Sequence, residues 1–199
     1  MEPNTVAELQ TLRRLLVRED VPFLLLGGGT NVLVSDKGVR GVVVRLGRGF
    51  NYVRWPGAVT PSDHSSVRVG AGRSLGHFVR ETLRRGLGGI EFAEGIPGTI
   101  GGGLLMNAGA FGGELSQVIV GISGVTDEGD YKRWARNQIC FNYRETALPA
   151  KLIVTEAEFG LSPKTVEEGK LGIEDFRKKR SRTQPRGYPN AGSVFKNPP

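Results

Sequence analysis

Gly86–Glu114 reads GLGGIEFAEGIPGTIGGGLLMNAGAFGGE. Glycine admits positive φ and lets backbone amides approach a bound group with no Cβ in the way. A row of such amides suits a phosphate or pyrophosphate. Within the run, Pro97-Gly98 leads into Thr99-Ile100-Gly101-Gly102, a sequence that can open a helix and direct its first amides at an anion. A flexible linker is the rival reading. Ile90, Phe92, Ile96, Ile100, Leu104, Leu105 and Met106 make the stretch too apolar for one.

Upstream, a second glycine cluster stands between two apolar runs: Gly27-Gly28-Gly29-Thr30-Asn31 follows Phe23–Leu26 and precedes Val32-Leu33-Val34. It is neither a Rossmann fingerprint nor a P-loop, since G-x-G-x-x-G and a Gly-Lys-Ser/Thr ending are both absent. By itself it is as well explained by a tight turn. Beside the Gly86–Glu114 run it points to a long ligand with phosphates to be held at several places.

The rest of the chain reads as helices and strands, which alternate in its first part. Thr5 and Glu8 form a capping box for a helix with Val6, Leu9, Leu12 and Leu16 on one face. Phe23–Leu26, Val32–Val34 and Gly41–Leu46 are predicted strands, closing a first lobe over residues 1–48. Asn51–Trp55 and Ser66–Gly70 predict a hairpin, and Ser74 caps a helix whose inward face carries Leu75, Phe78, Val79, Thr82 and Leu83. Leu115–Val125, Tyr131–Ala135 and Leu152–Leu161 supply further strands. Thr165 and Glu168 cap a third helix running through Ile173 and Phe176 into Arg177–Arg180, which completes a second lobe over residues 49–180.

With 199 residues the chain can bury a core without disulfides. A net charge of +7 calls for an anionic partner, whether nucleic acid, a phosphorylated small molecule or an acidic protein. Cys140 is the only cysteine, which excludes an intrachain disulfide and any multi-cysteine metal site; between Ile139 and Phe141 it is expected to be packed inside. His64 and His77 have no visible partner, and both read as structural or solvated. No metal site is expected. There is no apolar leader-like run and no segment long enough to cross a bilayer, so a cytoplasmic location is expected.

Four motifs taken together resemble a known family. They are GGGTNVLVSD at 27–36, GIEFAEGIPGTIGGGLLMNAGAFGGE at 89–114, Tyr143-Arg144 within CFNYRETAL, and AGSVFKNP at 191–198. In this order and spacing they are similar to the bacterial UDP-N-acetylenolpyruvoylglucosamine reductases over essentially the whole chain. The resemblance implies the α+β FAD-binding fold of the vanillyl-alcohol oxidase type, with two α+β lobes around the flavin. It also implies NADPH-dependent reduction of UDP-N-acetylglucosamine enolpyruvate to UDP-N-acetylmuramate through FAD, in peptidoglycan synthesis. By the same resemblance Gly27, Gly28, Gly29, Thr30, Asn31, Gly95, Pro97, Gly98, Thr99, Gly101, Gly102, Asn107, Ala108 and Gly109 hold the cofactor. Arg144 stabilises the enolate, Ser193 donates the proton, and Tyr143, Lys196 and Asn197 contact the substrate.

Two departures from the family accompany the match. A Thr-Phe-x-Ile-Gly-Gly type segment usually precedes the first helix, and about another hundred residues usually follow Phe-Lys-Asn-Pro, including a late glutamate that works with the arginine. The expectation is a truncated member in which residues 181–199 only begin the substrate-binding domain and turnover by this polypeptide is doubtful. The alternative is a non-catalytic flavin- or nucleic-acid-binding fragment.

Overall fold

A computed structural model describes residues 1–57, 65–149, 151–184 and 195–196. Helix α1 (Val6–Arg18) begins where expected, with the Thr5 hydroxyl accepting the Glu8 amide. The Glu8 carboxylate reaches one residue further back than in a capping box and accepts the Asn4 amide at 2.8 Å. Leu9 and Leu16 are buried from α1 against Val44, Phe50, Val125 and Ile153. The strands behind this cluster are β1 (Phe23–Leu25) and β2 (Val42–Val44), paired in parallel. Val32-Leu33-Val34 forms no strand, contrary to its composition, and Leu33 is 99% exposed. A β-branched run without a ladder partner gains nothing from being extended.

The remaining elements are β3 (Val53–Arg54), β4 (Ser65–Gly70), α2 (Leu75–Arg84), β5 (Leu87–Gly88), α3 (Ile100–Leu105), β6 (Gly109–Ala110) and β7 (Gly113–Glu114). After them come β8 (Ile119–Val125), β9 (Tyr131–Ala135), β10 (Cys140–Asn142), β11 (Glu145–Ala147), β12 (Ile153–Pro163) and α4 (Val166–Thr183). Five of the strands form an antiparallel sheet in the order β3-β4-β12-β8-β9, and β5 extends it at the end of β12. β12 is central, and Ala157, Phe159 and Leu161 alternate toward the core as a half-covered strand requires. Helix α2 lies on that face, with the Phe78 and Phe159 rings 4.9 Å apart. Parallel and antiparallel sheets with helices packed on them make the fold α+β, as the family resemblance implies.

Helix α4 starts on the capping box formed by Thr165 and Glu168. Hydrogen bonds from the Thr165 side chain and backbone hold the Glu168 carboxyl below its ordinary value of 4.5. A depressed carboxyl stabilises the fold above its unfolded pKa and loses that contribution as pH falls through the folded value. Acid titration followed by far-UV circular dichroism is therefore expected to show an early loss of helix signal below pH 4.5 that Glu168→Gln removes. An unchanged acid limb in the variant would show that the cap carries no stability.

Cys140 departs from its expected burial and is exposed on β10. His77 is exposed on α2, and His64 lies outside the described residues. Among the described residues no group of three or more His, Cys, Asp or Glu could hold a metal ion, and no helix is long and apolar enough to cross a membrane.

Candidate functional site

β1 hands the chain to the first glycine cluster. Leu26 still donates its amide to Val44 O at 2.8 Å, and beyond it the backbone leaves the ladder. Gly28, Gly29, Thr30 and Asn31 are exposed. Among the described residues none of the five amides from Gly27 to Asn31 has a partner.

The second glycine segment lies directly against this turn. A Cβ on Gly28 would stand 3.0 Å from Gly98 Cα, one on Gly27 would stand 2.9 Å from Thr99 Oγ1, and one on Gly98 would stand 3.0 Å from Thr30 Oγ1. Gly98 also has φ +113°, which side-chain-bearing residues rarely adopt. The backbones of two segments some seventy residues apart in sequence therefore touch only because both are glycine. The amides of Gly98 and Thr99 are without partners among the described residues as well, so unpaired donors from both loops meet where Gly28 faces Gly98, whereas Gly95, also without a partner for its amide, lies against Arg180. Such a set of donors suits phosphate oxygens.

Not every glycine of the second segment serves that junction. Helix α3 forms as read, with Thr99 as its cap, but its first amides are not directed at a ligand. Ile100 donates to Arg73 O and Gly101 to Ala71 O, each at 2.9 Å, and Gly102 donates to Thr99 Oγ1. Gly101 instead allows close packing on Ala71, whose Cβ would be 3.1 Å from its own. Pro97 is exposed beside the junction. Ala108 is buried and donates to Gly103 O, Gly109 pairs with Glu114, and Asn107 is fully buried. Two carboxylates in the run escaped the sequence reading. Glu91 is buried against Lys164 at 2.8 Å and Glu94 against Arg177 at 2.8 Å, so both tie the glycine segment to the α4 side of the fold. The Arg177–Arg180 run is thereby partly spent on internal pairing, and Lys179 also pairs with Asp175.

Tyr143 and Arg144 form the tip of the hairpin made by β10 and β11. Arg144 has φ +58°, and its guanidinium lies 5.1 Å from the centre of the Tyr143 ring. It makes no hydrogen bond or ion pair among the described residues and is thus available to an anion. Lys196 is brought to the same hairpin, with Nζ 3.8 Å from the Glu145 carboxylate. Ser193 and Asn197 lie outside the described residues. A cavity of about 780 Å³ runs between β1 and the β11–β12 connection, lined by Leu24, Leu25, Leu105, Thr146, Leu148 and Ile153 among others. None of the junction glycines lines it.

Known proteins resemble the chain in sequence and in fold. Residues 1–134 match the FAD binding domain family. The reductase named UDP-N-acetylenolpyruvoylglucosamine reductase 2 of Symbiobacterium thermophilum is 45% identical over 96% of this chain and 60% of its own length. The UDP-N-acetylenolpyruvoylglucosamine reductase of Agathobacter rectalis is 40% identical over 90% of this chain and 59% of its own. The chain thus spans about three fifths of the length of these curated relatives. The crystal structure of the Thermus caldophilus reductase superposes with a TM-score of 0.81 at 31% identity, covering 99% of this chain and 67% of that one. Cholesterol oxidase of Brevibacterium sterolicum, at 18% identity and a TM-score of 0.59, shares the fold. The chain therefore belongs to the FAD-binding domain family and, within it, to the UDP-N-acetylenolpyruvoylglucosamine reductases.

Proposed function

We propose that the chain holds FAD at the junction of the Gly27–Asn31 and Gly95–Thr99 loops. In this reading it serves the NADPH-dependent reduction of UDP-N-acetylglucosamine enolpyruvate to UDP-N-acetylmuramate. That step belongs to cytoplasmic peptidoglycan synthesis, and through it to cell shape and division. The carrying observation is the contact between the two loops, with unpartnered amides on both sides and a Cβ at Gly27 or Gly28 falling within about 3.0 Å of the facing loop. These donors fit the diphosphate of FAD. Bound FAD supplies hydride transfer from NADPH to the enolpyruvyl double bond.

The chain's own residues supply the rest. Arg144, unpaired and braced by Tyr143, meets the charge that develops on the substrate carboxylate. A planar guanidinium suits that task because it bonds two oxygens at once and stays protonated. Ser193 is assigned as donor of the proton that completes the reduced bond, Lys196 as a contact of the substrate diphosphate, and Tyr143 and Asn197 as further substrate contacts. Residues 1–48 and 49–180 are assigned as the two lobes around the flavin, and 181–199 as the start of the substrate-binding part.

Titration of the purified protein with FAD tests the reading. A stoichiometric yellow complex with quenched flavin fluorescence is expected. A colourless protein that instead shifts labelled DNA in low salt would overturn it in favour of nucleic-acid binding. NADPH oxidation that begins only when the enolpyruvyl nucleotide sugar is added checks the substrate.

A further inference from the structure

We propose that Asn107 is a positioning residue whose side chain locks the Tyr143-Arg144 hairpin to the glycine-rich segment. The inference rests on the reading of Arg144 given above. Asn107 follows α3 with φ +39°, a left-handed conformation that asparagine tolerates better than most residues. It is fully buried, so its amide is closed to any ligand. Both ends of that amide are used by the backbone of other elements: Oδ1 accepts the Ser116 amide at 3.0 Å, and Nδ2 donates to Asn142 O at 3.0 Å.

Asn142 is the last residue of β10, two positions before Arg144, and it faces Glu145 across the hairpin. The opposite strand is tied to the same turn of α3. Thr146 on β11 donates its hydroxyl to Leu104 O at 2.5 Å, and Thr146 is buried. Among the described strands β10 and β11 pair only with each other. A lone two-stranded hairpin holds its place poorly in water. Phe141 packs the hairpin on the core, and the two side-chain bonds to the Leu104–Asn107 turn fix where the arginine stands relative to the segment that carries Gly98 and Thr99.

The chemistry of the site selects asparagine. Aspartate could still accept from Ser116 but would turn an oxygen toward the Asn142 carbonyl. Glycine would keep the left-handed backbone and remove both side-chain bonds, which separates conformation from anchoring.

The test compares wild type with Asn107→Gly and Thr146→Val by hydrogen exchange, FAD titration and, in the FAD-loaded protein, steady-state kinetics. In each variant the hairpin amides of residues 140–147 are expected to exchange about tenfold faster, the factor for one buried hydrogen bond. Dissociation of FAD is expected to stay close to wild type. The kinetic loss is expected in kcat for substrate reduction, with kcat restored further in Asn107→Ser than in Asn107→Gly. Wild-type exchange rates across the hairpin in Asn107→Gly would overturn the proposal. So would parallel loss of FAD affinity and protection throughout the fold, the mark of a structural role alone. Failure of the functional reading is distinguishable, because it would appear as absence of flavin binding in wild type whatever the exchange data show. If Asn107→Gly does not fold, Asn107→Asp carries the same exchange prediction.

Discussion

Replacing Gly28 with valine is expected to abolish retention of FAD while leaving the core intact. A Cβ at this position would stand 3.0 Å from Gly98 Cα and 3.6 Å from Gly98 C. Those are backbone atoms, and no rotamer change can move them away. Valine adds two methyl groups beyond the Cβ, so the loops must part. Parting them disperses the donors of Gly27–Asn31 from those of Gly98 and Thr99. Losing two charge-assisted hydrogen bonds costs about 3 kcal/mol or more, roughly a hundredfold in dissociation constant. Gly28 is exposed and outside both apolar clusters, so the thermal midpoint of the flavin-free protein should hardly change. Gel filtration of the FAD-saturated variant, followed by its visible spectrum, gives the answer. Co-elution of flavin at wild-type stoichiometry and affinity would show that the two loops do not grip the cofactor together.

The second large effect concerns stability. Arg13 projects from α1 with only 1% of its side chain exposed, stacks 4.2 Å from the centre of the Phe23 ring and bonds to Asp127 through Nη2. Asp127 is about a third exposed and also lies 3.5 Å from Lys151. Removing the carboxylate leaves a guanidinium buried among apolar side chains, with Nε already lacking a hydrogen-bond partner. Asp127→Ala is expected to cost about 3 kcal/mol, the low end of what breaking a buried pair costs because Asp127 is partly solvated. For a chain of this size that corresponds to a fall in Tm of roughly 6–12 °C. The double variant Arg13→Met, Asp127→Ala should recover much of the loss, since it buries no unpaired charge. Urea denaturation of the three proteins measures this directly. A single variant as stable as wild type would mean that water replaces Asp127 without penalty.

The two predictions probe different links. Gly28 tests how backbone shape makes a binding surface, whereas Arg13 tests how α1 is fastened to the turn that follows β8. Since α1 packs on the β1–β2 pair from which the Gly27–Asn31 turn leaves, loosening α1 is expected to weaken flavin binding indirectly. That loss would track the fall in stability, while the Gly28 effect would not.

Local pattern in the sequence determined most elements, because each rests on contacts a few residues apart. Thr5, Ser74, Thr99 and Thr165 cap their helices, the apolar spacing of α1 and α2 marks their buried faces, and alternation marks β12. The glycine composition likewise marked both of the loops that meet at Gly28 and Gly98. Where a reading depended on who stands opposite, local pattern could not decide. Val32–Val34 has strand composition but no partner among the described strands, and Cys140 has apolar neighbours but stands on an exposed hairpin. Only the tertiary structure divided the glycines by task, showing Gly28 and Gly98 in mutual contact while Gly101 packs on Ala71. It alone showed that the opening amides of α3 are taken by Arg73 and Ala71, and that Asn107 reaches Asn142 across 35 positions of chain. The physical reason is common to these cases: propensity and capping act along the chain, whereas close approach, pairing and donor satisfaction are settled between distant segments once they pack.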